Sequence, residues 1–162
     1  MSIRNRAEAF ARVFSGVPYK YENGPTAESA NNWFVEGLNC QLFIHLACRD
    51  FFEVTLPQDL RSSEMFADSE WFLDKSVSDL EEGDIMFFGP KNLLPRRDPN
   101  DEDAKKLHVA MVISVSQENG VEVIHARYKQ GIVIEPLETV QKIRWITQRP
   151  YEKVFAVKAL KV

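Results

Sequence analysis

The hydrophobic pattern of this chain changes period near Asp84, and that change decides what it can fold into. Before Asp84 the apolar residues recur at helical spacing. Ile3, Ala7, Phe10, Ala11 and Phe14 fall at i, i+4, i+7, i+8 and i+11, one face of an amphipathic helix. Gly16 and Pro18 end it. Asn39 is a good N-cap, and behind it Cys40, Phe43, Ile44, Ala47, Cys48 and Phe51 repeat the same spacing, predicting a helix to about Phe52. A shorter helix is predicted over 60–67. Residues 17–38 read as irregular, with a turn at Gly24-Pro25 and Tyr19, Tyr21 and Trp33 available for an aromatic wall.

Past Asp84 the runs 85–88, 109–115, 121–128, 132–137 and 155–162 are short and rich in β-branched and aromatic residues, as strands are. Glu118-Asn119-Gly120 and Lys129-Gln130-Gly131 separate neighbouring runs as hairpin turns do. Helices first and a meander afterwards predict one α+β domain over residues 1–162. Its N-terminal helices would pack on one face of a C-terminal antiparallel sheet of about five strands. The polar stretch from Arg96 to Lys106 reads as a solvated loop between strands, with a lid over a site as the alternative.

Charge and cysteine usage narrow the function classes. Twenty Lys and Arg against 24 Asp and Glu leave a net charge of −4. That balance argues against a general nucleic-acid binder, which needs a basic face to displace counterions, and against attachment to an anionic membrane. No apolar run approaches the ~18 residues of a membrane span. The first residues carry no secretory signal pattern. Cys40 and Cys48 sit eight apart on one predicted helix, about 12 Å along its axis, too far for a disulfide. Two free thiols fit a reducing compartment, so the expectation is a cytoplasmic protein, with secretion by a non-classical route as the alternative.

The chain has no glycine-rich phosphate loop, no H-E-x-x-H, no G-x-S-x-G and no C-x-x-C, so no cofactor or metal is expected. What remains is a cysteine and histidine set. Cys40 follows the N-cap, where unpaired N–H groups and the positive end of the helix dipole favour an anion; a thiol there is expected to have a lowered pKa. On spacing alone Cys40 reads equally well as one more small hydrophobe of the stripe. Cys48, two turns deeper, reads as core. Alternation puts His108 on the strand face of Ala110, Val112 and Ser114, small enough to let a helix end approach. His125 lies on the next strand, across the Asn119-Gly120 hairpin. The two imidazoles can therefore stand side by side as a base and its orienter. Each histidine, taken singly, reads as readily as a hydrogen-bonded core residue. A zinc site of Cys40, His108 and His125 is disfavoured, because structural zinc ligands come in close local pairs. His45 lies about 140° around the helix from Cys40 and points elsewhere.

These residues, in order, resemble the NlpC/P60 cysteine peptidases, a papain-like group of cell-wall amide hydrolases. Gly16-Val17-Pro18-Tyr19-Lys20-Tyr21 resembles the family's G-x-P-Y-x-(W/Y)-G-G opening, and Leu38-Asn39-Cys40-Gln41-Leu42-Phe43 stands in the place of F-D-C-S-G-hydrophobic. Leu56-Pro57 follows, then Leu80-Glu81-Glu82-Gly83-Asp84-Ile85-Met86-Phe87-Phe88, similar to L-x-x-G-D-L-x-F-F. Leu107-His108-Val109-Ala110-Met111-Val112-Ile113 resembles HVGIYIG, and Val123-Ile124-His125-Ala126 resembles the family's I-H-A element. Each element alone is weak; the ordered set, over about residues 16–135, is specific.

The resemblance implies Cys40 as nucleophile, His108 as general base and His125 as the third polar residue. Tyr21, Asn39 and Gln41 would belong to the substrate and oxyanion wall. It implies a peptide or muropeptide substrate, cleaved through an acyl-enzyme, and a cognate inhibitor as partner if the chain is a delivered effector. Related amidase or acyltransferase chemistry on a small non-wall substrate, or a catalytically silent binding module of the same fold, are the competing readings. The chain also departs from the family pattern. Asn39-Cys40-Gln41 replaces Asp-Cys-Ser, Glu22-Asn23-Gly24 replaces the double glycine, and Leu42 replaces the glycine after the serine. Relatives use that Asp and Ser to hold the free amino end of the stem peptide, so the chemistry is better carried by the resemblance than the substrate is.

Overall fold

In the computed structural model, residues 2–89, 107–142 and 154–161 are described. The stretch from Arg96 to Lys106 lies outside them. Helix α1 spans Ile3–Val13, with Ser2 Oγ accepting the Asn5 N–H as N-cap. Its stripe turns inward: Ala7 and Phe10 are buried, and Ile3, Ala11 and Phe14 pack on the core. Helix α3, Cys40–Phe52, is the central helix, buried on more faces than its sequence stripe predicts because Leu42 and Leu46 are covered as well. Helix α4, Ser62–Ala67, follows.

The stretch read as irregular contains a helix, α2, Ala27–Glu36. Among its described side chains, 31–36, Trp33 is the buried one. Trp33 stacks on Phe10 at 5.9 Å between ring centroids and meets Phe14 edge-on at 4.7 Å.

The sheet has six antiparallel strands in the order β1-β6-β2-β3-β4-β5, one more than expected. They are β1 Phe72–Lys75, β2 Ile85–Phe88, β3 His108–Ser116, β4 Gly120–Arg127, β5 Gly131–Pro136 and β6 Val154–Leu160. The extra strand, β1, is a four-residue edge with a single buried position, too short and too exposed to show alternation. Both hairpin turns join the strands expected of them, β3 to β4 and β4 to β5. The final strand does not extend the meander. It crosses back to lie between β1 and β2, with Ile85 opposite Lys158.

Strand alternation divides the apolar material into two layers. Val109, Met111, Ile113, Ile124, Ala126, Ile85 and Phe87 face the helices α1 and α3. Met86, Phe88, Ala110, Val112, Val123 and Val157 face the other way, where Val140 of the short helix α5, Leu137–Gln141, covers them. Lys158 on β6 is 1% exposed, and its Nζ donates to the carbonyls of Met65 at 3.1 Å, Phe66 at 3.0 Å and Asp68. It thereby closes the C-terminal end of α4, whose last carbonyls have no partners within the helix. No helix among the described residues is long and apolar enough to cross a membrane.

Candidate functional site

The site forms where the start of α3 meets one end of the sheet. Asn39 fixes that start: its Oδ1 accepts the Leu42 N–H at 2.9 Å, and its Nδ2 donates to the Tyr21 carbonyl at 3.1 Å. The Asn39 N–H donates to the Asn23 carbonyl at 3.0 Å. The segment before it is tied in by a parallel bridge between Tyr19 and Leu38. Two glycines allow the close approach. A side chain at Gly37 would meet the Pro18 carbonyl at 2.6 Å, and one at Gly131 would meet the Val17 carbonyl at 2.4 Å. Both sit at positive φ, so the segment 17–20 lies directly on the β4–β5 turn and on the entry to α3.

The β3–β4 ladder runs from Ser116↔Gly120 to Met111↔Ile124 and ends there, three residues short of His108. The β4–β5 ladder continues to Arg127↔Gly131. At this end, then, β3 is paired with β2 through Phe88↔His108 but no longer with β4. Here the Val109 N–H addresses the Cys40 sulfur, together with the N–H groups of Cys40 and Gln41 at the helix start. The helix body lies on the Val109 and Met111 face, opposite to the one inferred from the small residues Ala110 and Val112. Larger side chains give α3 more apolar area to bury, while the small ones receive α5.

His108 and His125 are brought together. His108 Nε2 and His125 Nδ1 are 2.7 Å apart, with ring planes at 74° and centroids 5.0 Å apart. His108 also lies against Phe88, 6.0 Å between centroids. Behind His125 the chain of contacts continues: His125 Nε2 is 2.8 Å from Glu135 Oε2, and Arg127 donates to Glu135 Oε1. Neither Glu135 nor Arg127 emerged from the sequence reading. The signal available was alternation on β4 and β5, which puts Glu135 opposite Val123 and so on the face of His125.

Electrostatics keep this cluster neutral around Cys40. Burial pushes the Cys40 thiol up to about 11, against the pull of the three N–H groups. This reverses the expected lowering: Cys40 is 3% exposed, and desolvation of the thiolate outweighs the helix start. Burial, and then the neighbouring His125, hold His108 well below the ordinary imidazole value. Burial also lowers His125, although the Glu135 carboxylate works in the opposite direction. Glu135 is itself pushed up by burial, but the hydrogen bond from His125 and the Arg127 charge leave it below the usual carboxylate range.

Tyr19 is the other neighbour that sequence reading left as a wall residue. Its hydroxyl is buried, and that burial above all holds it far above the ordinary phenol value, so it is a neutral O–H. Tyr21, read as the oxyanion-side tyrosine, is 55% exposed and stands on the rim of a cleft of about 330 Å³. Asn39, Gln41, Glu22, Pro25 and Arg61 also line that cleft, which flanks Cys40 on both sides in sequence without including the sulfur. Gln41 Nε2 donates to Ser62 Oγ at 2.9 Å, fastening the start of α3 to the start of α4. His45 is turned away, 2.6 Å from the Leu60 carbonyl, and Cys48 is buried, its thiol pushed by desolvation to about 12. Both cysteines are free thiols.

An NlpC/P60 family protein from Bacillus cereus ATCC 10987 has a similar structure, with a TM-score of 0.54 at 20% identity. The match covers 95% of this chain and 39% of that one, so the chain spans about two fifths of that protein's length. No protein-family profile matches the sequence, and neither does any curated protein. The α+β fold is thus one that an NlpC/P60 protein also adopts.

Proposed function

We propose that this chain is a thiol hydrolase that cleaves an amide bond through an acyl-enzyme, with Cys40 as nucleophile, His108 as general base and His125 as its orienter. The observation that carries the reading is the hydrogen-bonded His108–His125 pair, one residue from the Val109 N–H that addresses the Cys40 sulfur. In the acylation step the Cys40 S–H proton passes to His108 Nδ1 as sulfur bonds to the substrate carbonyl carbon. The oxyanion is met by the N–H groups at the start of α3 and by the neutral Tyr19 hydroxyl. His108 then returns the proton to the leaving nitrogen as the C–N bond breaks. A water, deprotonated by the same imidazole, releases the acid and restores the thiol.

For substrate, the reading favours a peptidoglycan stem peptide or its fragments, entering along the cleft lined by Tyr21, Asn39 and Gln41. A specific observation supports a second substrate class, a small amide or acyl donor outside the wall. Asn39 places no charge beside the thiol, and its carboxamide is engaged by Leu42 and Tyr21. Mass spectrometry of defined muropeptides incubated with wild type and with Cys40→Ala tests both. Cleavage by wild type alone supports the wall substrate. An acylated Cys40 from a non-wall amide panel, with intact muropeptides, favours the second class. No acylation from either set removes the hydrolase reading.

A further inference from the structure

The hydrogen bonds behind His108 have a direction, and it is set at their far end. A carboxylate can only accept. Glu135 Oε2, 2.8 Å from His125 Nε2, therefore requires the proton of neutral His125 to be on Nε2. That leaves His125 Nδ1 bare, so across the 2.7 Å contact it must accept from His108 Nε2–H. A neutral His108 protonated on Nε2 has its lone pair on Nδ1. Arg127, which can only donate, occupies the other oxygen of Glu135. The four side chains come from two adjacent strands, β4 and β5, and the start of β3.

We propose that Glu135, held by Arg127, is a positioning residue that fixes the tautomers of both imidazoles, so that His108 presents a bare Nδ1 for the Cys40 proton. The catalytic consequence rests on the thiol-hydrolase reading; the tautomer assignment does not. Burial makes the relay effective. His108 is 2% exposed and His125 0%, so water offers neither ring an alternative partner.

The relay makes an unusual demand on the isosteric variant Glu135→Gln. Arg127 still needs an acceptor, so the new amide must turn its oxygen to Arg127 and its NH₂ to His125 Nε2. His125 then carries its proton on Nδ1 and donates to His108 Nε2, which forces the His108 proton onto Nδ1. Both rings invert, and the base is blocked without any atom of the site being removed. Removing Arg127 as well frees the amide to rotate. The double variant Arg127→Leu/Glu135→Gln should therefore regain the original tautomers.

The test is ¹⁵N NMR of the ring nitrogens at neutral pH. The chain holds three histidines, so single substitutions assign the signals. In wild type, His108 and His125 are expected to show a protonated Nε2 and a bare Nδ1. Glu135→Gln should exchange the two on both rings, and the double variant should restore them. Glu135→Ala, which deletes the acceptor, should give a mixture. On any amide substrate that the wild type cleaves, Glu135→Gln should lower kcat by about 10² to 10⁴-fold with little change in KM, in line with the loss when a triad carboxylate becomes an amide. The double variant should recover at least about tenfold of that, which a merely structural role for Glu135 does not predict. Unchanged nitrogens in Glu135→Gln overturn the proposal. Inverted nitrogens in a protein that cleaves no amide uphold the tautomer assignment and remove the thiol-hydrolase reading instead.

Discussion

A free thiol at a helix start is usually expected to be a ready thiolate, and here the structure leads to the opposite expectation. Burial carries Cys40 from the ordinary 9.0 to about 11, two pKa units against the thiolate, or about 3 kcal/mol. At pH 8 the thiolate fraction is then about one part in 10³, against about one in ten for an unperturbed thiol. The thiolate that does form is intrinsically more nucleophilic, which recovers nearly tenfold over two units. The net expectation for iodoacetamide at pH 8 is labelling about tenfold slower than an exposed cysteine, before any delay from access. The slope is more diagnostic than the rate. From pH 7 to 10 the logarithm of the Cys40 alkylation rate should rise by about one per pH unit with no plateau, followed by peptide mapping of the intact folded protein. Cys48, at about 12 and fully buried, should label more slowly throughout. A plateau below pH 7 would mean that a thiolate–imidazolium pair already exists at rest, and would refute the burial argument. With the expected slope, thiol and imidazole are both neutral before substrate arrives, and the proton moves only as sulfur attacks.

Three further outcomes follow from named contacts. The buried, depressed imidazoles of His45, His108 and His125 bind protons in the unfolded chain before they do in the folded one. Stability is therefore full above the unfolded histidine value and lost as pH falls below about 6.5, by up to about 4 kcal/mol per pH unit if all three contribute, as urea midpoints between pH 7.5 and 5 should show; a flat profile contradicts it. Lys158→Met should take the Lys158 donor from the Phe66 carbonyl at about 1–3 kcal/mol, while the Met65 carbonyl keeps the Asp68 N–H at 3.3 Å, and the change is partly offset by no longer burying an ammonium; a net loss of about 1–2 kcal/mol in urea unfolding is expected, and an unchanged midpoint contradicts it. In steady-state kinetics His125→Asn should keep more activity than His125→Ala, and both should exceed His108→Ala, with the losses in kcat; wild-type turnover in His125→Ala leaves His125 as a strand residue only.

What the sequence made legible is what is encoded locally. The stripe on α3 predicts its span to within a residue of Cys40–Phe52, and the Asn39 cap is visible because N-cap preference is a property of one residue and its next three. Both hairpins are legible for the same reason. Helix α2 is hidden because the contact that anchors it, Trp33 on Phe10, joins residues more than twenty apart in sequence. Strand β1 is hidden because its partner, β6, lies more than eighty residues away. The burial of Lys158 depends on α4 ending above β6, which no local pattern records.

The candidate site divides along the same line. His108 and His125 were readable as neighbours because strand alternation and one hairpin are local rules, whereas the face of β3 that α3 covers was not. Their electrostatics were not, because a pKa depends on everything that excludes water. The helix-start N–H groups were correctly read as favouring a thiolate, and they do pull Cys40 down, but the sequence gives no measure of the layer of Leu38, Leu42 and Leu107 that is buried in the same core. The direction of the proton relay was hidden for a related reason. Two histidines side by side are symmetric: either ring can donate. Only the group at the end of the line breaks that symmetry, and Glu135 breaks it because a carboxylate has no proton to give while Arg127 keeps its other oxygen occupied. A histidine pair on adjacent strands is therefore an incomplete statement about a base. The identity of the residue two positions beyond the paired partner on the third strand, here Glu135 beyond Val133, decides which nitrogen carries the lone pair.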